Sequence, residues 1–224
     1  LATITVMLAN ARADDIVLEP SAGNGLLVAG LPPIAALQLN EIDPARRERL
    51  SATFPKASVT GHDGAQIASV MASAERPSLI LMNPPFSAMA NVAGRMADTT
   101  YRHIASALAR LAPGGRLVAI TGASFAHDNP AWRDAFIRLQ ERGRVVFSAV
   151  IDGSVYAKHG TTIDTRLTVI DKLPADDPAA FGFGRHRRGD RHQDLDRRTA
   201  DAEQEEQRQH QEGRIGERCG QRRS

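Results

Sequence analysis

A single cysteine, Cys219, stands in the 224 residues, so no disulfide can form within the chain, and a reducing, cytoplasmic setting is the expectation. No apolar run approaches the roughly 20 residues that cross a bilayer. The amino terminus lacks the basic segment and apolar core of a secretory signal. A formal net charge of +2 is too small to argue for nucleic acid by itself, so any contact with DNA or RNA has to come from local clustering. His62, His103, His127 and His159 have neither short ligand spacing nor cysteine partners, which argues against zinc and leaves no metal site to expect. Ser21 lacks the flanking glycines of a nucleophile elbow. The first residue is Leu1 rather than Met, which raises the expectation that the sequence starts part-way into a longer chain.

What is present reads as one domain with an extension. Hydrophobic content of 42% and a charged fraction of 24% are ordinary for a globular chain. Ile4, Met7, Leu8 and Ala11 recur at helical spacing over residues 2–12. Compact apolar runs at Ile16–Leu18, Ile34–Leu39, Ala57–Thr60, Ser78–Met82 and Leu117–Thr121 read as strands. Between them, helices are expected at Leu26–Ala29, from Pro44 to Phe54, around Ile67–Met71 and from Asp98 to Leu111, with another over residues 130–141. Strands alternating with helices predict an α/β domain with a mostly parallel sheet. Val145–Ile151 and Leu167–Ile170 are joined without a helix and should pair antiparallel.

That domain is expected to span residues 1–173. From Pro174 to Ser224 the chain holds 11 arginines, no lysine and 11 acidic residues, and its large apolar residues are Phe181, Phe183, Leu195 and Ile215. Ordering a backbone costs roughly 1–2 kcal/mol per residue, more than so few apolar groups offset, so residues 174–224 read as a polar, disordered tail. A basic nucleic-acid arm and an altered reading frame are the alternatives.

The stretch with the most chemistry is Asn83-Pro84-Pro85-Phe86, at the end of the run Leu79–Met82. Ligands of open α/β sheets bind at the carboxyl ends of the strands. The two prolines hold the backbone extended, so the Asn83 side chain and the Pro84 carbonyl can converge as acceptors on one nitrogen. Phe86 offers a flat face for a planar ring. The pattern suits a planar amine.

Upstream, Glu19-Pro20-Ser21-Ala22-Gly23-Asn24-Gly25 turns out of the first strand, where Gly23 and Gly25 let the backbone lie close to a ligand. A dinucleotide fingerprint would want a small residue where Val28 stands, which counts against NAD. Glu41, followed by Ile42 at the end of the second strand, can accept from ribose hydroxyls or simply be a solvated carboxylate. Asp63, after the third, can accept from an adenine amine or form the turn Gly61–Gly64.

In that order along one sheet edge, these residues resemble the class I S-adenosylmethionine-dependent methyltransferases, a Rossmann-like, doubly wound fold with a terminal antiparallel strand, over residues 1–173. Asn83-Pro84-Pro85-Phe86 is similar to the catalytic motif of the amino-methylating branch. With Pro113-Gly114-Gly115-Arg116-Leu117 and Val155-Tyr156-Ala157-Lys158-His159-Gly160-Thr161-Thr162, the chain resembles the methylase module that heads strawberry-notch-like helicase fusions of bacterial plasmids and phages.

The resemblance implies S-adenosylmethionine as cofactor, held by Glu19, Pro20, Ala22, Gly23, Gly25, Glu41, Ile42 and Asp63. It implies transfer to the N6 amine of adenine in DNA at Asn83, Pro84, Pro85 and Phe86. Tyr156 and Lys158 would meet the flipped base and a phosphate, and a helicase is the implied partner. Methylation of an RNA base or a glutamine amine, and a degenerate module that only binds cofactor, are the other readings.

Overall fold

The computed structural model describes residues 1–71, 75–85, 93–154 and 162–181, with side chains in the 93–98 stretch excepted. All of these lie in one compact unit spanning Leu1–Arg185. The strands are β1 (Ile16–Glu19), β2 (Ala36–Asn40), β3 (Ser58–Thr60), β4 (Leu79–Met82), β5 (Arg116–Gly122), β6 (Arg144–Ile151) and β7 (Thr165–Asp171). The helices are α1 (Ala2–Ala9), α2 (Pro44–Thr53), α3 (Ile67–Val70), α4 (Ala93–Arg110) and α5 (Arg133–Gln140), with a 3-10 turn at Gly64–Gln66.

The seven strands form one sheet in the order β3-β2-β1-β4-β5-β7-β6. Strands β1 to β5 pair in parallel, whereas β7 runs antiparallel to both β5 and β6. The last described strand, β7, is therefore inserted between β5 and β6, and β6 forms the edge.

Strand β4 shows why the apolar runs carry no polar alternation. Leu79, Ile80, Leu81 and Met82 are all at 0% exposure. Leu79 and Leu81 join Ala9 of α1 and Leu50 of α2 on one face, while Ile80 and Met82 join Ile104 of α4 and Phe136 of α5 on the other. A parallel strand covered on both faces has no side to expose. Each such side chain contributes about 1.5–3 kcal/mol of burial.

Local signals set most boundaries. Asp43 caps α2 by accepting from the Arg46 N–H at 2.8 Å, and Pro44 occupies the first turn. Arg116 and Asp171 form a buried two-pronged ion pair at 2.8 and 3.1 Å, and the same guanidinium donates to the Leu8 carbonyl at 3.0 Å. That contact pins the carboxyl end of α1 to β5 and β7.

Three expectations change. In α1 the buried residues are Thr5 and Ala9, while Ile4 and Met7 are 45% and 73% exposed. The helix is apolar nearly all round, so spacing alone did not identify its inner face. Leu26–Ala29 is a series of turns rather than a helix, since Gly25 takes φ +73° and Pro32-Pro33 follow closely. Helix α4 begins at Ala93, five residues before the first clear apolar period.

Residues 174–181, placed in the tail by composition, pack on α5: Gln140 donates to the carbonyls of Pro178 and Ala180, and the Phe181 ring lies 4.8 Å from that of His127. Residues 182–224 lie outside the described part. Among the described residues, no helix is long and apolar enough to cross a membrane.

Candidate functional site

The carboxyl ends of β1, β2, β3 and β4 open on a cleft of about 700 Å³. Its walls include Glu19, Pro20, Ala22, Gly23, Glu41, Ile42, Asp63, Asn83 and Pro85, so nine residues singled out from the sequence share one cavity. Gly25 and Pro84 are not among its lining residues. Phe86, Tyr156 and Lys158 lie outside the described residues.

Asn40, at the end of β2, ties the cleft together. Its Nδ2 donates to the carbonyls of Pro20 and His62, both at 2.9 Å. Its Oδ1 accepts from the His62 N–H at 2.8 Å and the Thr60 hydroxyl at 2.9 Å. The Asn40 backbone carbonyl takes the Ala22 N–H at 2.8 Å. One buried amide thus uses its full hydrogen-bonding capacity to fix the turns after β1 and β3 relative to β2.

Glu41 is buried rather than a solvated strand-end carboxylate. Oε2 accepts from the Gly23 N–H at 2.8 Å and Oε1 from the Asp43 N–H at 2.9 Å. Each oxygen keeps a further lone pair, so the group holds the glycine turn and remains able to accept from a ligand. Ile42, next to it, is 66% exposed on the cleft wall.

The two glycines of the turn serve different ends. Gly25, at φ +73°, would drive a Cβ to 2.5 Å from the Phe54 ring, so it is required by packing. Gly23, at φ +56°, has no atom within 4 Å of where a Cβ would lie. The space beside Gly23 belongs to whatever occupies the cleft.

Asp63 caps the 3-10 turn, its Oδ1 accepting from the Ala65 N–H at 2.9 Å. The turn-forming role weighed from sequence is therefore present, and the carboxylate still lies on the cleft wall.

Glu19 is the anomaly of the site. It is 2% exposed, and its Oε2 has no hydrogen-bond donor among the described residues. Burial, and secondarily the Glu41 carboxylate, raise its pKa well above the ordinary glutamate value.

Asn83 lies beyond the end of β4 with its side chain exposed, while Pro84 is buried and Pro85 exposed. The motif is thus anchored by its first proline and presents the amide to the cleft.

Two contributors went unrecognised in the sequence. Asn40 is one; its role follows from three turns meeting, which no local pattern announces. His103, set aside as a metal ligand, reaches the cleft from α4 with Nδ1 buried and without a hydrogen-bond partner among the described residues. Burial lowers its pKa, against the opposing pull of Asp63. A Cβ on Gly64 would meet Ser21 Oγ at 2.9 Å and His103 Cε1 at 3.2 Å, so Gly64 lets the ring close on the β1 turn.

No protein-family model and no curated protein sequence matches the chain. Solved structures do match in fold. TrmN from Thermus thermophilus superposes with a TM-score of 0.59 at 22% identity, covering 77% of this chain and 48% of that one. The type I restriction enzyme EcoKI M protein gives 0.61 at 12%, covering 81% and 45%. The N-methyltransferase NodS from Bradyrhizobium japonicum, in complex with S-adenosyl-L-homocysteine, gives 0.54 at 16%, covering 76% and 85%. The chain spans about half the length of the first two. Together with the strand order, these likenesses identify the fold as that of the class I methyltransferases.

Proposed function

We propose that the chain transfers a methyl group from S-adenosylmethionine to the exocyclic N6 amine of adenine in DNA. The observation that carries the reading is the shared cleft: an exposed Asn83 amide at the end of fully buried β4 faces the same cavity as the Glu19–Gly25 turn and Glu41. The residues fit the cofactor. Glu19 Oε2 lacks a donor among the described residues, Gly23 leaves room where a side chain would stand, and Ile42 is 66% exposed. NodS, which shares the fold, binds the demethylated form of this cofactor.

S-adenosylmethionine supplies an electrophilic methyl on a sulfonium. Glu41 would accept from its ribose hydroxyls, Ile42 would cover one face of its adenine, and Asp63 would accept from its amine. Gly23 would let the backbone approach its amino-acid end.

The chain's remaining task is to prepare the nucleophile. Adenine's N6 lone pair is delocalised into the ring. Asn83 Oδ1 and the Pro84 carbonyl would accept hydrogen bonds from the two N–H groups, so that the nitrogen pyramidalises and its growing positive charge is stabilised until one of its protons leaves to water. The Asn83 side chain makes no hydrogen bond among the described residues and so can meet a substrate. A base inside a duplex is out of reach, so the target would be flipped or single-stranded, at a cost of a few kcal/mol. Phe86 and Tyr156 would sandwich it, and Lys158 would meet a phosphate.

The resemblance of Asn83-Pro84-Pro85-Phe86 to the amino-methylating motif supports DNA, and the EcoKI M protein, part of a restriction enzyme, shares the fold. The resemblance to helicase fusions adds a helicase, fused or neighbouring, as the expected partner. Labelled methyl transfer onto DNA, RNA and protein tests the reading. Label on adenine N6 of DNA is expected; strong label on RNA or glutamine with none on DNA would overturn it.

A further inference from the structure

Glu19 lines the cleft, is 2% exposed, and its Oε2 has no hydrogen-bond donor among the described residues. Glu41, on the adjacent strand end, is a carboxylate held by the Gly23 and Asp43 N–H groups. Two acids so placed repel when both are charged. Burial first, and Glu41 second, favour the protonated form of Glu19. The other titratable or charged groups facing the cleft are His62 and Asp63 after β3, His103 from α4, Arg46 from α2 and the amino terminus at Leu1.

We propose that Glu19 reads the charge of the ligand: it stands as a neutral acid in the free protein and as a carboxylate against a cationic group of the bound cofactor, so that binding releases a proton. The inference rests on the cofactor reading above. S-adenosylmethionine carries two cations, a sulfonium and an α-ammonium. Its demethylated product keeps the ammonium alone, and 5′-methylthioadenosine has neither. Binding of a cation is favoured only by the ionised form of Glu19, so affinity falls as pH drops through the pKa of the free protein.

Titration calorimetry of the full chain, in buffers of different ionisation enthalpy over about pH 5–8.5, reads the proton directly. The expected result for S-adenosylmethionine is release approaching one proton, with affinity falling by up to about tenfold per pH unit on the acid side. Glu19→Gln, isosteric with the neutral acid, is expected to bind more weakly at high pH, with no proton released and no slope. Release with the demethylated product as well would assign the ammonium, and release with S-adenosylmethionine alone the sulfonium; both support the proposal. Equal release with 5′-methylthioadenosine would overturn it. So would binding without proton release, or release that persists in Glu19→Gln, which would point to a histidine. Failure of every adenosyl compound to bind would instead overturn the cofactor reading itself.

Discussion

Replacing Asn40 tests whether a single amide holds the cleft together. Alanine removes four hydrogen bonds of 2.8–2.9 Å and strands the His62 N–H and the carbonyls of Pro20 and His62. Thr60 keeps only a 3.5 Å contact to the Leu39 carbonyl. The bond to Pro20 is buried, and losing a buried partner costs about 1–3 kcal/mol; the three half-buried bonds contribute about 0.5–1.5 kcal/mol each. Allowing for relaxation and water entry, Asn40→Ala should destabilise by about 3–5 kcal/mol. At roughly 2–4 °C per kcal/mol for a domain of this size, that lowers the melting temperature by roughly 6–20 °C.

Asn40→Asp sharpens the test, because it keeps the shape and both accepted bonds but turns two donors into an oxygen facing two carbonyls. Its deficit should match or exceed that of alanine at neutral pH. It should shrink relative to wild type as the pH falls and the acid regains an O–H. Urea unfolding across pH, with cofactor titration alongside, reads both effects. A cost below about 1 kcal/mol for Asn40→Ala, within the range of an ordinary surface change, would refute the argument.

The remaining substitutions separate structure from binding. Gly25→Ala combines a left-handed backbone with a clash on Phe54 and should cost about 2–4 kcal/mol, whereas Gly23→Ala, strained but unobstructed, should cost about 1–2 kcal/mol and instead weaken cofactor binding. Melting curves with calorimetry check this, and equal destabilisation would contradict it. Because the Glu19 pKa is raised in the folded state, its contribution to stability is full below the ordinary value of 4.5 and is lost as pH rises through the folded pKa. Without ligand, Glu19→Gln should therefore gain on wild type with increasing pH; a pH-independent difference in urea midpoints would count against a buried neutral acid. Asn83→Ala should leave cofactor affinity nearly intact and lower transfer by at least about 10²-fold, while Glu41→Ala should weaken cofactor binding first. Parallel loss of both properties in Asn83→Ala would remove the assigned division of roles.

How much of this was legible depended on whether a signal was local. Strand β4 was readable because four consecutive apolar residues fill both faces of a sheet, and α2 because Asp43-Pro44 carries its own start signal. The glycine turn, Glu41, Asp63 and Asn83 line one cleft because a parallel sheet brings successive strand ends to one side. Helix α1 misled, since an apolar surface all round leaves its buried side to be chosen by β5 and the Arg116 contact to Leu8. Asn40 stood next to Glu41 in the sequence, yet nothing nearby shows that Pro20 and His62 converge on it. His103 lay outside the pattern because α4 delivers it from the far side of the motif.

Under the proposed function the cleft is built in two ways, a cofactor side and an acceptor side. On the cofactor side, Asn40 and Glu41 bind backbone groups of three turns, so geometry is set by buried bonds before any ligand arrives. On the acceptor side, Asn83 extends from the end of β4 with one buried proline behind it and no hydrogen bond to its amide among the described residues. A preformed cofactor half favours one ligand because the turns have already paid their ordering entropy. An acceptor half of two oxygens specifies an amine by its hydrogens and lone pair, while the ring that carries the amine is chosen by what stacks on it. Substitutions at Asn40 or Glu41 should thus alter folding and cofactor affinity together, and those at Asn83 the rate alone. Exchange of the stacking residues is where one amine would be traded for another.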